Sequence, residues 1–137
     1  MLSDQEGPEG QDIGAVTRLQ RLKTGALFAF ACEAGAMLGR AEDSRRSALA
    51  AYAHDMGLAF QIADDLLDIR GRAEEIGKTP GKDAAAHKAT FVSILGEERA
   101  EAQANLLADQ AIRHLDVFDA RADLLRAVAR FVVERRV

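Results

Sequence analysis

The 137-residue chain has no tryptophan, one tyrosine, two prolines and a single cysteine. Because one cysteine cannot form an internal disulfide, the sequence favours a protein of the reducing cytoplasm. We expect that cysteine, Cys32, to be a small buried apolar residue. Long hydrophobic runs are also missing, since the most apolar stretch, residues 25–38, is short and contains Glu33. No membrane span is therefore predicted.

The sequence has no cluster of basic residues. Its 18 basic and 22 acidic residues give a net charge of −4. The sequence therefore lacks the positively charged surface by which proteins bind nucleic acid. The hydrophobic fraction of 48% and the charged fraction of 29% are typical of one folded globular domain. Residues 1–11 are acidic and rich in turn-forming residues, unlike a signal peptide, and they predict a loop or a disordered lead-in.

Patterns of β-structure are also missing. Proline interrupts helices most strongly, and both prolines, Pro8 and Pro80, lie in segments that contain glycine. Elsewhere the chain is rich in good helix formers, and apolar residues recur at helical spacing rather than alternating. We therefore predict an all-α protein. The predicted helices cover residues 12–39 (with a break near residues 23–25), 44–70, 89–95, 97–115 and 121–135, and an irregular stretch covers residues 71–87.

Residues 71–79, GRAEEIGKT, look at first like a phosphate-binding P-loop. A P-loop has four residues between its first glycine and its Gly-Lys-Ser/Thr, whereas five residues separate Gly71 from Gly77. A P-loop also follows a strand, and this segment follows a predicted helix. The P-loop reading is therefore rejected. What remains is a loop whose lysines, Lys78 and Lys82, could bind an anion.

An acidic arc on the second predicted helix is the strongest chemical signal. On a helical wheel an arc about 100° wide contains one amide and three carboxylates: Gln61, Asp64, Asp65 and Asp68. The rest of this helix is apolar, which predicts that it is mostly buried. The like charges repel, so the arc needs a counter-charge from outside the helix. Oxygen ligands suit Mg²⁺, with Mn²⁺ as the alternative, joined to substrate phosphates. The alternative is that these residues form an acidic, solvent-exposed helix face that binds no metal.

Other polar residues carry weaker signals. A second set of aspartates has arginines interleaved with it, and we interpret it as surface charge: Asp116, Asp119 and Asp123 with Arg113, Arg121 and Arg126. The three histidines share no metal-ligand spacing, and no site is assigned to them: His54, His87 and His114. In the last predicted helix the apolar residues at helical spacing are Leu124, Val128, Phe131 and Val132.

Three segments around the acidic arc resemble a known family. Residues 60–71 (FQIADDLLDIRG), 76–83 (IGKTPGKD) and 87–96 (HKATFVSILG) together resemble the C-terminal half of bacterial short-chain isoprenyl diphosphate synthases, above all farnesyl diphosphate synthases (geranyltranstransferases). Residues 22–39 resemble the Lys-Thr-Gly segment of that family, in the same order. The resemblance covers nearly the whole chain. It implies a helical bundle of the isoprenoid synthase type, with residues 1–137 as the C-terminal half of one domain.

The resemblance implies a metal site and a substrate site. Asp64, Asp65 and Asp68 match the second aspartate-rich motif of the family, which binds Mg²⁺ bridging the allylic diphosphate. Lys78 matches the lysine that contacts this diphosphate, and Lys88 matches a lysine at the mouth of the cavity. These two lysines are therefore the expected substrate-binding residues.

The resemblance also implies the catalytic residues. Lys23 and Thr24 match the pair whose carbonyl and hydroxyl face the developing allylic cation, and Gln61 matches an amide on the same wall. Asp83 matches a supporting acid at the mouth. The implied reaction is ionisation of an allylic diphosphate, attack by isopentenyl diphosphate and loss of a proton. The full-length protein is expected to be a cytoplasmic homodimer.

One departure from the family is large. The family has a first aspartate-rich motif and an isopentenyl diphosphate site well upstream of its Lys-Thr-Gly segment, whereas only 22 residues precede Lys23. We therefore expect the chain to be a fragment that is inactive alone. Two alternatives stay open: a non-catalytic helical subunit of a heteromeric prenyl diphosphate synthase, and a related terpene cyclase. The length of the product cannot be inferred, because the residues expected to set it lie upstream.

Overall fold

Five α-helices form the architecture of residues 8–76 and 91–135, the parts of the chain that the computed structural model describes. The elements follow in the order α1 (Pro8–Leu38), α2 (Asp43–Ile76), α3 (Phe91–Leu95), α4 (Glu97–His114), the two 3₁₀ turns Leu115–Val117 and Ala120–Ala122, and α5 (Asp123–Glu134). These two stretches contain no strand, so the all-α prediction is confirmed. Among the described helices, none combines the length and apolar character needed to cross a bilayer.

Helix α2 lies at the centre and contacts α1, α3, α4 and α5. Its buried residues recur every three or four positions, as expected for a helix with neighbours on several sides: Tyr52, Ala53, Met56, Ala59, Ile62, Ala63 and Leu66. Met56 and Ala59 are wholly inaccessible to solvent. The prediction that this helix is mostly buried is confirmed for these positions, while Leu58 remains exposed.

Small side chains bring α4 close to α2. Apolar residues at helical spacing along α4 and into the turn that follows it are all buried, and most are alanine: Ala100, Ala104, Leu107, Ala111 and Leu115. One part of the core joins Met56 to Leu115 and to Ala129 of α5. A second part, farther along α2, joins Ile62 and Leu66 to Val92 of α3 and to α4.

Two predicted helix boundaries are wrong. Helix α1 begins at Pro8 rather than at residue 12 and is not interrupted near residues 23–25. Proline fits the first helical position because its missing N–H would have no partner there. Helix α2 continues through Gly71 to Ile76, so residues 71–76 of the predicted irregular stretch are helical, and residues 77–87 lie outside the described residues. One glycine within a helix costs only about 1 kcal/mol relative to alanine, and α2 tolerates it.

The apolar stripe of α5 does not coincide with the buried side of that helix. Of its four members only Val132 is buried, whereas Leu124 and Phe131 are 75% and 67% exposed. The helix instead places Ala129 and Val132 in the core, with the alanines of α4. A small residue such as Ala129 permits a close approach of two helices that a leucine at the same point would prevent.

The turn between α1 and α2 reverses the chain. The N–H of Ala41 donates to the carbonyl of Ala36 at 2.9 Å, and the N–H of Arg40 donates to the carbonyl of Met37 at 3.1 Å. This pair of bonds is a Schellman motif, and its left-handed position, usually a glycine, holds Arg40 with φ 53°. The two helices then run antiparallel.

Truncation of Met56 tests the core. Met56→Ala should lower the free energy of unfolding by about 2–5 kcal/mol, because it removes a wholly buried side chain and leaves a cavity. Urea unfolding followed by circular dichroism measures the change. Leu124→Ala, at a site that is 75% exposed, is the control and should change stability by less than about 0.5 kcal/mol. Equal effects of the two substitutions would contradict this description of the core.

Tyr52 allows a test by pH. Burial, with a smaller contribution from Cys32, raises the pKa of Tyr52 to about 12, and its hydroxyl donates to the carbonyl of Leu125 at 2.7 Å. It is the single tyrosine, so phenolate absorbance reports on it alone. The unfolded tyrosine ionises first, so stability should fall as the pH rises from about 10 towards 12. The Tyr52→Phe variant should not show this loss of stability at high pH. A phenolate titration in the folded protein centred near 10 would contradict the burial of this hydroxyl.

Candidate active site

The acidic arc lies on the C-terminal part of α2. Asp64 and Asp68 are exposed, while Asp65 and Gln61 are half-buried. Helix α2 is packed on its other sides, so these side chains project from the one part of its circumference that the core does not cover. The arc is therefore neither fully solvated nor fully buried.

Arg21 of α1 is the counter-charge of Asp65. Its Nη2 donates to Oδ2 of Asp65 at 2.7 Å. The backbone carbonyl of the same residue accepts a hydrogen bond from Nε2 of Gln61 at 3.0 Å. Both the side chain and the backbone of Arg21 are thus bound to the acidic arc, and this fixes α1 against α2 at the level of the site.

Arg135 is the counter-charge of Asp64. It follows the last residue of α5, and its Nη2 donates to Oδ1 of Asp64 at 2.5 Å. Its Nε donates to the carbonyl of Val132 at 3.0 Å, and its guanidinium carbon lies 4.7 Å from the centroid of the Phe60 ring. A guanidinium held by a carboxylate, a carbonyl and an aromatic face has little freedom to move.

Burial and charge act in opposite directions on Asp65. Partial burial raises the pKa of this carboxyl above its usual value, and the nearby carboxylates of Asp64 and Asp68 add to the rise. The charge and the hydrogen bond of Arg21 oppose it. Without Arg21 the carboxylate of Asp65 would be unfavourable at this position.

The arc has counter-charges that come from outside its own helix. They come from two arginines of the same chain. Within residues 8–76 and 91–135, no group of three or more histidine, cysteine, aspartate or glutamate side chains is arranged to hold a metal ion. The metal-binding role of Asp64, Asp65 and Asp68 therefore stays a prediction.

Of the other predicted site residues, two lie on α1 and the rest lie outside the described residues. Lys23 is exposed and Thr24 half-buried on α1. On a helical wheel Lys23 points about 160° away from Arg21, so it does not face the aspartates. Lys78 and Lys88, with Asp83, lie outside the described residues.

A groove adjoins the arc between α1 and α2. It has a volume of about 330 Å³, and apolar and small residues form most of its lining, among them Leu22, Ala26, Ala53 and Leu58. Arg21 and Gln61 also line it, so the groove is continuous with the charged arc. A volume of this size lies at the lower end of the range found for small-molecule sites.

Sequence reasoning missed Arg21 and Arg135. Arg21 carries a weak signal, since it lies two residues before Lys23 in a segment assigned to the site. Arg135 carries none, because 71 residues separate it from Asp64 and only the packing of α5 on α2 brings the two together.

The weaker sequence interpretations have mixed outcomes. The surface-charge reading is confirmed, because Arg121 pairs with the exposed Asp119 and Arg126 pairs with the exposed Asp123. Cys32 is only half-buried but packs against the core, and its burial raises the pKa of the thiol. His114 lies 3.0 Å from Asp55 rather than in a metal site.

Removal of Arg21 tests the electrostatic account. Arg21→Ala should destabilise the protein by about 1–3 kcal/mol, because it leaves Asp65 half-buried without its partner. The deficit should shrink as the pH falls through the raised pKa of Asp65, since protonation removes the unpaired charge. Urea unfolding at several pH values measures both effects. Arg46→Ala breaks the exposed pair with Glu33 and should cost less than about 1 kcal/mol. A loss for Arg21→Ala that does not vary with pH would refute this account.

Comparisons with known proteins identify one family to which the chain is similar. The polyprenyl synthetase family matches residues 6–128. A dimethylallyltranstransferase of Fischerella ambigua is 38% identical over 132 residues, which are 96% of this chain and 38% of that protein. A farnesyl diphosphate synthase of Geobacillus stearothermophilus is 35% identical over 135 residues, 97% of this chain and 45% of that protein.

A solved structure shows the same fold. The crystal structure of an FPP/GFPP synthase from Zymomonas mobilis is 53% identical, with a TM-score of 0.66 over 85% of this chain and 37% of that one. The helices described above therefore have the all-α isoprenoid synthase fold. The chain spans less than half the length of each of these three relatives. It belongs to the polyprenyl synthetase family.

Proposed function

We propose that this chain supplies the allylic-diphosphate half of a prenyltransferase site, which condenses isopentenyl diphosphate with an allylic diphosphate. The acidic arc is the observation that carries the proposal. Three carboxylates of a largely buried helix lie beside an apolar groove, and two of them are already paired with cations. Relatives named as a dimethylallyltranstransferase and a farnesyl diphosphate synthase support the same class of reaction.

The donor atoms of the arc fit a hard divalent cation. Asp64, Asp65 and Asp68 offer only oxygen ligands, which Mg²⁺ prefers, with Mn²⁺ as the alternative. When bound, the ion would supply positive charge to the departing diphosphate. Arg21 and Arg135 fix the directions of two of these carboxylates.

The groove and its polar end suit the organic part of an allylic substrate. The apolar lining would accept the prenyl chain and exclude water from it. The amide of Gln61 is oriented by its bond to the Arg21 carbonyl, so its oxygen can act as a fixed dipole toward positive charge in the adjoining groove. We propose that the hydroxyl of Thr24 and the backbone carbonyl of Lys23 also direct fixed dipoles toward the developing allylic cation. We propose that Lys78 and Lys88 bind the diphosphate.

A chimera tests the proposed reaction. This chain replaces the matching segment of the Zymomonas mobilis synthase, which is 53% identical to it. The chimera should condense isopentenyl diphosphate with an allylic diphosphate, and Asp64→Asn should lower kcat by roughly 100-fold or more. Turnover of radiolabelled isopentenyl diphosphate gives the rates. Asp123→Asn alters a surface ion pair on α5 and should leave kcat unchanged.

Two results would contradict the proposal. The first is a folded chimera whose turnover is unaffected by Asp64→Asn. The second is a folded chimera without any turnover, which is the outcome expected of a non-catalytic subunit. The 137-residue chain alone should be inactive, because it spans only 37% of the synthase with which it shares the fold. Condensation by the isolated chain would refute this expectation of incompleteness.

A further inference from the structure

A second cavity lies at the other end of α2 from the acidic arc. We call it the turn cavity, because the turn between α1 and α2 forms one of its walls. The last turn of α1, the start of α2 and the 3₁₀ turns before α5 form the others, and its volume is about 390 Å³. Arg45, which lines it, precedes Asp64 by 19 residues, roughly 28 Å along a helix. The turn cavity is therefore remote from the candidate active site.

One side of the turn cavity is apolar. Leu49, Phe118 and Leu125 line it, and all three also pack against the core. Gly35 of α1 lines it as well, and a Cβ atom at that position would meet no neighbouring side chain within 4 Å. The apolar side is thus supported by the core, and the space above it is open. These are the properties of a site for a small apolar group.

The rim of the turn cavity carries excess positive charge. Three arginines and two carboxylates line it, so the lining has a net charge of +1. Arg121 is paired with Asp119 at 3.1 Å. Arg40 and Arg45 form no ion pair with any side chain in the two described stretches, and Glu42 is the remaining carboxylate. Two guanidinium groups are therefore available to an anion.

The positions of both available arginines are restricted. The guanidinium carbon of Arg45 lies 5.8 Å from the centroid of the Phe118 ring, which places its charge beside the apolar side of the cavity. Arg40 has a φ of 53°, in the left-handed region where glycine is the usual residue. An arginine in this conformation costs free energy, and residues held in such conformations cluster at ligand sites.

We propose that the turn cavity binds a phosphate monoester with a short apolar tail. The phosphate accepts charge-assisted hydrogen bonds from Arg40 and Arg45, and the tail covers Phe118 and its apolar neighbours. A phosphate monoester carries a charge of about −1.5 to −2 near pH 7, so it can neutralise both arginines, whereas a carboxylate can neutralise only one. The proposal does not rest on the proposed reaction, because the turn cavity shares no residue with the acidic arc or with the groove beside it.

Calorimetric titration of the 137-residue chain with hexyl phosphate tests the proposal. Hexyl phosphate should bind at least about tenfold more tightly than hexanol, which lacks the charge, and than inorganic phosphate, which lacks the tail. Arg45→Ala should weaken the binding of hexyl phosphate by about tenfold or more, because it removes a hydrogen bond between charged groups. Arg99→Ala removes an exposed arginine of α4 that does not line the turn cavity, and it should leave the binding unchanged.

Two further substitutions separate the charge from the space. Arg40→Gly places the preferred residue in the left-handed position, so the melting temperature should stay the same or rise while the binding weakens by about tenfold or more. Gly35→Leu fills the cavity and should abolish the binding, and the helix should be retained because leucine favours it more than glycine does. Gly71→Leu makes the same exchange in α2, outside the turn cavity, and should leave the binding unchanged. Circular dichroism gives the melting temperatures.

Three results would overturn this proposal. The first is that hexyl phosphate does not bind, or binds no more tightly than hexanol or inorganic phosphate. The second is binding that persists unchanged in Arg45→Ala or in Gly35→Leu, because the ligand would then lie elsewhere on the chain. The third is unchanged binding by Arg40→Gly, which would mean that the left-handed arginine does not contact the phosphate.

Discussion

The acidic arc of α2 depends on arginines that reach it from other helices. Neighbouring helices cover most of α2, and Asp65, the half-buried carboxylate of the arc, needs a cation within reach. Arg21 reaches Asp65 from α1, and Arg135 reaches Asp64 from the end of α5. The same two ion pairs therefore neutralise charge at the site and hold α1 and the end of α5 against α2.

Packing determines which side of each helix takes part in this arrangement. The alanines of α4, together with Ala129 of α5, allow close contact at the core. This contact turns Phe131 outward and carries the end of α5 toward Phe60, where Arg135 stacks. The position of Arg135 at the site therefore depends on a small residue, Ala129, between one and two turns earlier in α5.

The sequence predicts the helical class and the acidic arc well, because both depend on local spacing. The buried stripe of α4 follows in the same way, since alternative faces of that helix are charged. The stripe on α5 does not, because leucine and phenylalanine also occur on its exposed side, and size rather than hydrophobicity decides which side packs. The two arginines of the site depend on contacts across 44 and 71 residues, which spacing along a helix cannot indicate.

The turn that holds Arg40 in the left-handed region has a consequence for insertions and deletions. Pairs of residues that meet across α1 and α2, such as Arg21 with Asp65 and Glu33 with Arg46, stay opposite each other only while the connection between the helices keeps its length. One residue more or fewer within the last turn of α1 would rotate the preceding part of that helix by about 100° about its axis. Phe28 would then leave the core, and Arg21 would leave the acidic arc. The end of α1 and its turn should therefore tolerate substitution far better than a change of length.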